Sequence, residues 1–160
     1  MLAGHEFGML LRKAYLSFHR RANARMLKLG ITADQFVTLS VLAREEGMTQ
    51  VTLVERTASD PNTVTAILGL LERRGLVRRE SHSQDRRARC VFLTPQGRRV
   101  QKRGAKVSEP LLATLCGCLP KPAIDQVAKS LERIHKAFSE PLGEDNGRPR
   151  KAEAKRIARA

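Results

Sequence analysis

The chain has 160 residues, of which 30 are lysine or arginine and 16 are aspartate or glutamate, leaving a net charge of +14 and a pI near 10.8. Such a balance favours a polyanionic partner; one tyrosine, five phenylalanines and no tryptophan leave little for base-stacking recognition of RNA. No apolar run approaches the roughly 18 residues of a membrane span, and the N-terminus lacks a charged-then-apolar export pattern, so a cytoplasmic, membrane-free protein with double-stranded DNA as its polyanion is expected.

Residues 6–29 place Phe7, Leu10, Leu11, Ala14, Phe18, Ala22, Met26 and Leu29 at helical spacing, which predicts one long helix ending at Gly30. At about 1.5 Å per residue it would run on the order of 36 Å, longer than a small domain needs for its own core. Its apolar stripe therefore needs cover from elsewhere. His5 and His19 lie on or near it with no second ligand at a convincing spacing, so neither a metal nor a cofactor is expected. Thr32-Ala33-Asp34-Gln35 is a capping box that opens a second helix. Phe36, Leu39, Ser40 and Ala43 would form its inner face, with Val37 and Val41 widening it and Gly47 ending it. Glu45 and Glu46 near its carboxyl end oppose the helix dipole. Residues 49–58 predict a short third helix with Leu53 and Val54 inward, and the turn Ala58-Ser59-Asp60 leads into a fourth, which makes a helix-turn-helix.

Asp60-Pro61 starts that fourth helix, since the carboxylate caps the first turn and proline has no amide to leave unsatisfied there. Gly75 closes it. Val64, Ile67, Leu68 and Leu71 follow the spacing of one buried face, so Asn62, Thr63, Thr65 and Ala66 point outward. Short polar side chains at the start of a helix suit entry into a major groove, where hydroxyls and amides reach base edges or phosphates. Two strand-like segments follow, residues 76–80 and 88–93, separated by a polar tip, which predicts a β-hairpin. From Glu72 to Arg103 there are eleven Arg or Lys against three acids, a local excess of +8. The positive charge is concentrated at the hairpin.

Thr94-Pro95 repeats the cap-then-proline start, and Val100, Gly104, Val107, Leu111 and Leu115 carry a fifth helix onward, with a bend expected near 106–110 because Pro110 removes a backbone bond. Cys90, Cys116 and Cys118 make neither an even disulfide framework nor a Cys-x-x-Cys metal pattern, which fits a reducing compartment. Buried structural thiols are the expectation for the pair at 116 and 118. After the turn Leu119-Pro120-Lys121-Pro122, a sixth helix carries the stripe Ile124, Val127, Ala128, Leu131, Ile134 and Phe138. The first and last helices both present more apolar surface than residues 33–94 can cover, and a homodimer resolves this. Residues 143–149 turn to Gly, Pro, Asn and acids, and 148–160 form a basic tail read as disordered.

The ordered set Asn62-Thr63-Val64-Thr65, Leu71-Glu72-Arg73-Arg74-Gly75-Leu76-Val77-Arg78-Arg79, Asp85-Arg86-Arg87 and Leu93-Thr94-Pro95-Gln96-Gly97 resembles the MarR-type winged-helix transcriptional regulators in order and spacing. Two positions depart from the pattern: Ala66, where the family commonly has arginine, and Gly69, where it commonly has an acid. The resemblance implies a mainly α fold, a winged helix-turn-helix of about six helices plus a two- or three-stranded β-wing. Residues 32–97 would be the DNA-binding domain, and residues 1–31 and 98–142 the helical dimerisation region, with 143–160 as tail. Residues 61–74 would form the recognition helix. It further implies that Arg87 enters the minor groove while Asp85 holds the wing's basic side chains in place. The DNA-contacting set is then Ser59, Pro61, Asn62, Thr63, Thr65, Arg74, Arg78, Arg79, Asp85, Arg86 and Arg87.

No Cys-His, Ser-His-Asp, paired-carboxylate, phosphate-loop or metal pattern exceeds chance, so the chain reads as no enzyme. The expected function is a dimeric, sequence-specific regulator, a repressor on a palindromic operator, released by a small-molecule effector. The resemblance places that effector's cleft between the first helix and the winged domain and suggests an aromatic acid. The alternative is a constitutive or redox-responsive DNA-binding regulator using Cys116 and Cys118 without a ligand.

Overall fold

The computed structural model describes residues 4–81 and 89–139, which fall into two units, one up to Leu115 and one from Cys116 onward. Six helices and one small antiparallel sheet follow in the order α1 (Gly4–Leu27), α2 (Ala33–Arg44), β1 (Met48–Thr49), α3 (Gln50–Thr57), α4 (Pro61–Arg73), β2 (Val77–Ser81), β3 (Arg89–Leu93), α5 (Pro95–Gly117) and α6 (Lys121–Ser139). The sheet order is β1-β3-β2. In the hairpin Val77 faces Leu93 and Ser81 faces Arg89, while β1 adds the pairs Met48 with Val91 and Thr49 with Cys90. The architecture is therefore the mainly helical winged helix expected, with three strands in the wing.

Local chemistry sets the boundaries. Thr32 caps α2 through its hydroxyl, which accepts from the Gln35 amide, and Gln35 answers on the Thr32 amide. Gly30, Gly47 and Gly75 hold φ of 73°, 75° and 64°, the left-handed region that glycine enters without a Cβ penalty. α2 ends at Arg44, before Gly47, and that glycine instead turns the chain so that its amide donates to the Val91 carbonyl beside β1. Glu45 and Glu46 thus lie past the helix. They are offset by Arg56 at 3.3 Å from Glu45 and by Arg98 paired with Glu46, not by anything local in sequence.

Leu39, Leu42, Leu53, Leu68 and Leu71 are fully buried and bring α2, α3 and α4 together with Val91 of β3. Burial of each such side chain contributes about 1.5–3 kcal/mol. The inner face of α2 holds Leu39 as expected, with Phe36, Val41 and Ala43 partly buried against the core; it also takes in Gln35, Thr38 and Leu42, which are buried, while Val37 is exposed. Polar residues tolerate that position because each is satisfied within its own turn, Thr38 by donating to the Asp34 carbonyl and Gln35 through the cap. α5 is seated by glycines: a Cβ on Gly104 would lie 2.5 Å from the Phe36 ring. Its helix continues through Pro110.

Of α1, only Met26 is buried, and Phe7, Leu10 and Tyr15 are about half exposed. In α6, taken by itself, no residue is buried, and Phe138 is 83% exposed. The cysteine expectation is reversed: Cys116 and Cys118 are exposed, and the buried thiol is Cys90 on β3, where strand pairing encloses it. No described helix is long and apolar enough to cross a membrane.

Candidate nucleic-acid interface

The amino end of α4 is an exposed polar surface built on a buried one. Val64, Ile67, Leu68 and Leu71 anchor the helix inward, which leaves Pro61, Asn62, Thr63, Thr65 and Ala66 exposed. Asp60 fixes the first turn. Its carboxylate accepts from the Thr63 hydroxyl at 2.5 Å and from the Thr63 amide at 2.9 Å. Those bonds, the hydroxyl's first, hold the Asp60 pKa below the usual carboxylate value. The ionised cap is therefore in place at neutral pH, and its contribution is lost only as pH falls through that lowered value. Ser59 sits in the turn before the cap, its hydroxyl donating to the Thr57 carbonyl at 3.3 Å.

Thr65 is held from two sides: its hydroxyl donates to the Pro61 carbonyl at 2.7 Å and accepts from Gln50 Nε2 at 2.6 Å. Gln50 was not among the expected site residues. It opens α3 directly after the Thr49 cap, and the signal for it is spatial, because the helix-turn-helix sets the start of α3 beside the start of α4. Thr65→Ala should relax base preference at one position per half-site by about 1–3 kcal/mol, and Gln50→Ala should reproduce part of that by freeing the Thr65 side chain. Competition binding between matched and mismatched duplexes measures both. Unchanged preference in alanine variants of Asn62, Thr63 and Thr65 alike would move specificity off this face.

The expected arginines are placed elsewhere. Arg74 caps α4 at its other end, roughly 20 Å away along the axis, and its guanidinium donates to the Gly30 carbonyl. Arg78 pairs with Glu80 and lies over the Phe92 ring, 4.9 Å from its centre. Arg79 is partly buried beside Glu72 at 3.5 Å. These three brace the hairpin root and the turn below it. Asp85, Arg86 and Arg87 lie outside the described residues.

A second feature lies behind the α3–α4 turn. A cavity of about 340 Å³ is bounded by Tyr15, Phe18, His19 and Met26 of α1, Asp34 and Phe36 of α2, Thr57, Ala58 and Ser59 of the turn, and Ser108 and Leu111 of α5. His19 Nε2 stands 3.2 Å from Asp34 Oδ1, and the Tyr15 ring centre is 5.6 Å from that of His19. Ala58 holds φ of 50°, the left-handed region, as the C-cap of α3. Among the described residues no group of three or more metal-ligating side chains comes together.

Comparison with known proteins agrees with this geometry. A model described as the MarR family matches residues 29–88. The transcriptional regulator HosA of Escherichia coli O111:H- is 35% identical over 91 residues, 54% of this chain and 67% of that protein. HosA of Escherichia coli O127:H6 is 39% identical over 70 residues, 44% of this chain and 52% of that protein, so the chain spans half to two thirds of these relatives. In fold, the chain is similar to a MarR mutant from E. coli complexed with operator DNA, with a TM-score of 0.73 at 24% identity over 79% of this chain and 91% of that one. It is also similar to CouR from Rhodococcus jostii RHA1 bound to p-coumaroyl-CoA, with a TM-score of 0.75 at 22% identity over 81% and 91%.

Proposed function

Because the chain belongs to the MarR family of transcriptional regulators, we propose that it is a cytoplasmic repressor that binds a palindromic operator as a homodimer and is released by a small-molecule effector. The observation that carries the DNA reading is the rigid polar start of α4, whose short side chains are exposed while its apolar face is locked into the core. The exposed apolar surfaces on the first half of α1 and along α6 support the homodimer, since each by itself is a face that needs cover. Residues 32–97 then carry DNA binding, residues 1–31 and 98–142 dimerisation, and the basic tail from 143 adds phosphate contact. Two-fold symmetry matches inverted half-sites roughly 34–36 Å apart. The cavity beside α1 supports the effector, as does the ligand bound to CouR.

Sequencing the DNA fragments retained by the full chain, then weighing the complex by analytical ultracentrifugation, tests this reading. An inverted repeat carrying two chains is expected; a single direct site carrying one chain would remove the dimer. On that DNA, the family resemblance assigns the wing's minor-groove contact to Arg87, so Arg87→Ala should cost about 1–3 kcal/mol, more than Arg86→Ala and most with A·T-rich flanks, where the groove is narrow and its potential focused. Asp85→Ala should weaken binding too, although it deletes a negative charge, because the wing loses its brace. A gain in affinity for that variant would leave only a charge effect.

A further inference from the structure

We propose that the cavity beside α1 selects an apolar compound with an amine or similar hydrogen-bond-donating head over a carboxylate of the same shape. The inference rests on the effector reading above and deepens it. Among the described residues no lysine or arginine lines this cavity, and its one carboxylate, Asp34, stands at the mouth with its side chain 54% exposed. The ring nitrogen nearest to Asp34, His19 Nε2, is already engaged by it. A ligand carboxylate would meet a like charge with no lysine or arginine to answer it. An ammonium would complete the pair.

A helix start could still attract an anion, and Ala33 and Asp34 belong to the start of α2. Three of its amides are committed: Thr32 N donates to Gln35 Oε1 at 3.0 Å, Ala33 N to Asn23 Oδ1 at 2.9 Å, and Gln35 N to Thr32 Oγ1 at 3.2 Å. Most of the anion-binding capacity of that terminus is already spent on the protein itself. On the wall of the cavity, Ser108 of α5 is 8% exposed. Its hydroxyl is a second polar anchor for a ligand whose body packs on Phe36 and Leu111.

The same cavity touches Thr57, Ala58 and Ser59, the turn that sets α4 against α3. A ligand that favours one geometry of this turn changes DNA affinity, and DNA changes ligand affinity by the same factor.

The probes are 2-naphthylmethylamine and the ring-matched 2-naphthoate, each titrated into the full chain by calorimetry without DNA and then tested for release of the retained DNA by fluorescence anisotropy. The amine should bind at least tenfold more tightly. The chain's net charge of +14 favours anions at long range, so a preference for the amine has to come from the cavity. Asp34→Asn should erase most of that preference, and Ser108→Ala should weaken both compounds alike. Should Asp34→Asn fail to fold, the comparison on the unaltered protein still decides. Equal or tighter binding of naphthoate, binding of neither compound, or a preference that survives in folded Asp34→Asn would overturn the inference. Amine binding that leaves the DNA in place would instead defeat the effector reading and leave the cavity's selectivity standing.

Discussion

Gly97→Ala should destabilise the fold by about 3 kcal/mol or more, a large share of the roughly 5–15 kcal/mol that a domain has. A Cβ at this position would lie 1.9 Å from the Leu76 carbonyl oxygen and 2.9 Å from its carbon, and both are backbone atoms that no rotamer change can move. The Leu76 oxygen also accepts from the Thr94 amide at 3.1 Å, while the Thr94 hydroxyl donates to the Gly75 carbonyl at 2.6 Å and accepts from the Gly97 amide at 3.0 Å. The added methyl therefore attacks the joint by which α5 is seated on the turn between α4 and β2. Helix propensity alone predicts the opposite sign, a gain of up to about 1 kcal/mol for alanine over glycine inside a helix. Chemical denaturation at fixed protein concentration reads the difference. An unchanged or raised midpoint would show that the contact yields, whereas Gly104→Ala, which meets the Phe36 ring instead of backbone, should cost less.

Affinity for the operator should fall by roughly four orders of magnitude between 50 and 200 mM salt, because a dimer making about eight phosphate contacts gives log K against log salt a slope of about −7. The whole local excess of +8 is not available for those contacts. Arg78, Arg79 and Arg98 are paired with Glu80, Glu72 and Glu46, and Arg74 is spent on the Gly30 carbonyl. Arg73, Arg89, Arg99, Lys102 and Arg103 form no ion pair among the described residues and, with Arg86 and Arg87, make about four phosphate contacts per subunit a moderate demand. Filter binding across a salt series measures the slope. A value near zero would remove electrostatics as the main source of affinity.

The parts of this fold that were legible in the sequence are those decided within one turn of chain. Asp60-Pro61, Thr32 to Gln35 and Thr94-Pro95 each carry their own cap, and the helices begin where those caps stand. β1 was not legible, because two residues have no period and become a strand only by pairing with Val91 and Cys90. The partners of Glu45 and Glu46 are 11 and 52 residues away, and charge alone does not show which arginine will arrive. The face of α2 is wider than its spacing shows for a related reason: α2 packs against α1, α3, α4 and β3, so its buried arc is set by four neighbours at once and takes in the self-satisfied Gln35 and Thr38. For the site, the exposed residues of α4 followed from their spacing, whereas Gln50 and the internal duties of Arg74, Arg78 and Arg79 depend on distances that spacing does not carry.

The bonds that steady the start of α4 also decide what it can ask of a base. A threonine hydroxyl has one proton, and here Thr63 gives its proton to Asp60 and Thr65 gives its own to the Pro61 carbonyl. Toward the groove both present lone pairs only, so they cannot donate to a phosphate, to guanine O6 or N7, or to thymine O4. What they can accept from is an exocyclic amino group, adenine N6 or cytosine N4. Asn62, with no side-chain bond of its own among the described residues, keeps both a donor and an acceptor. The vocabulary of this helix is thus one bifunctional amide followed by two acceptors. In the selected DNA it would show as adenine or cytosine opposite the threonines, and guanine enriched there would mean that the hydroxyls exchange their internal partners on binding.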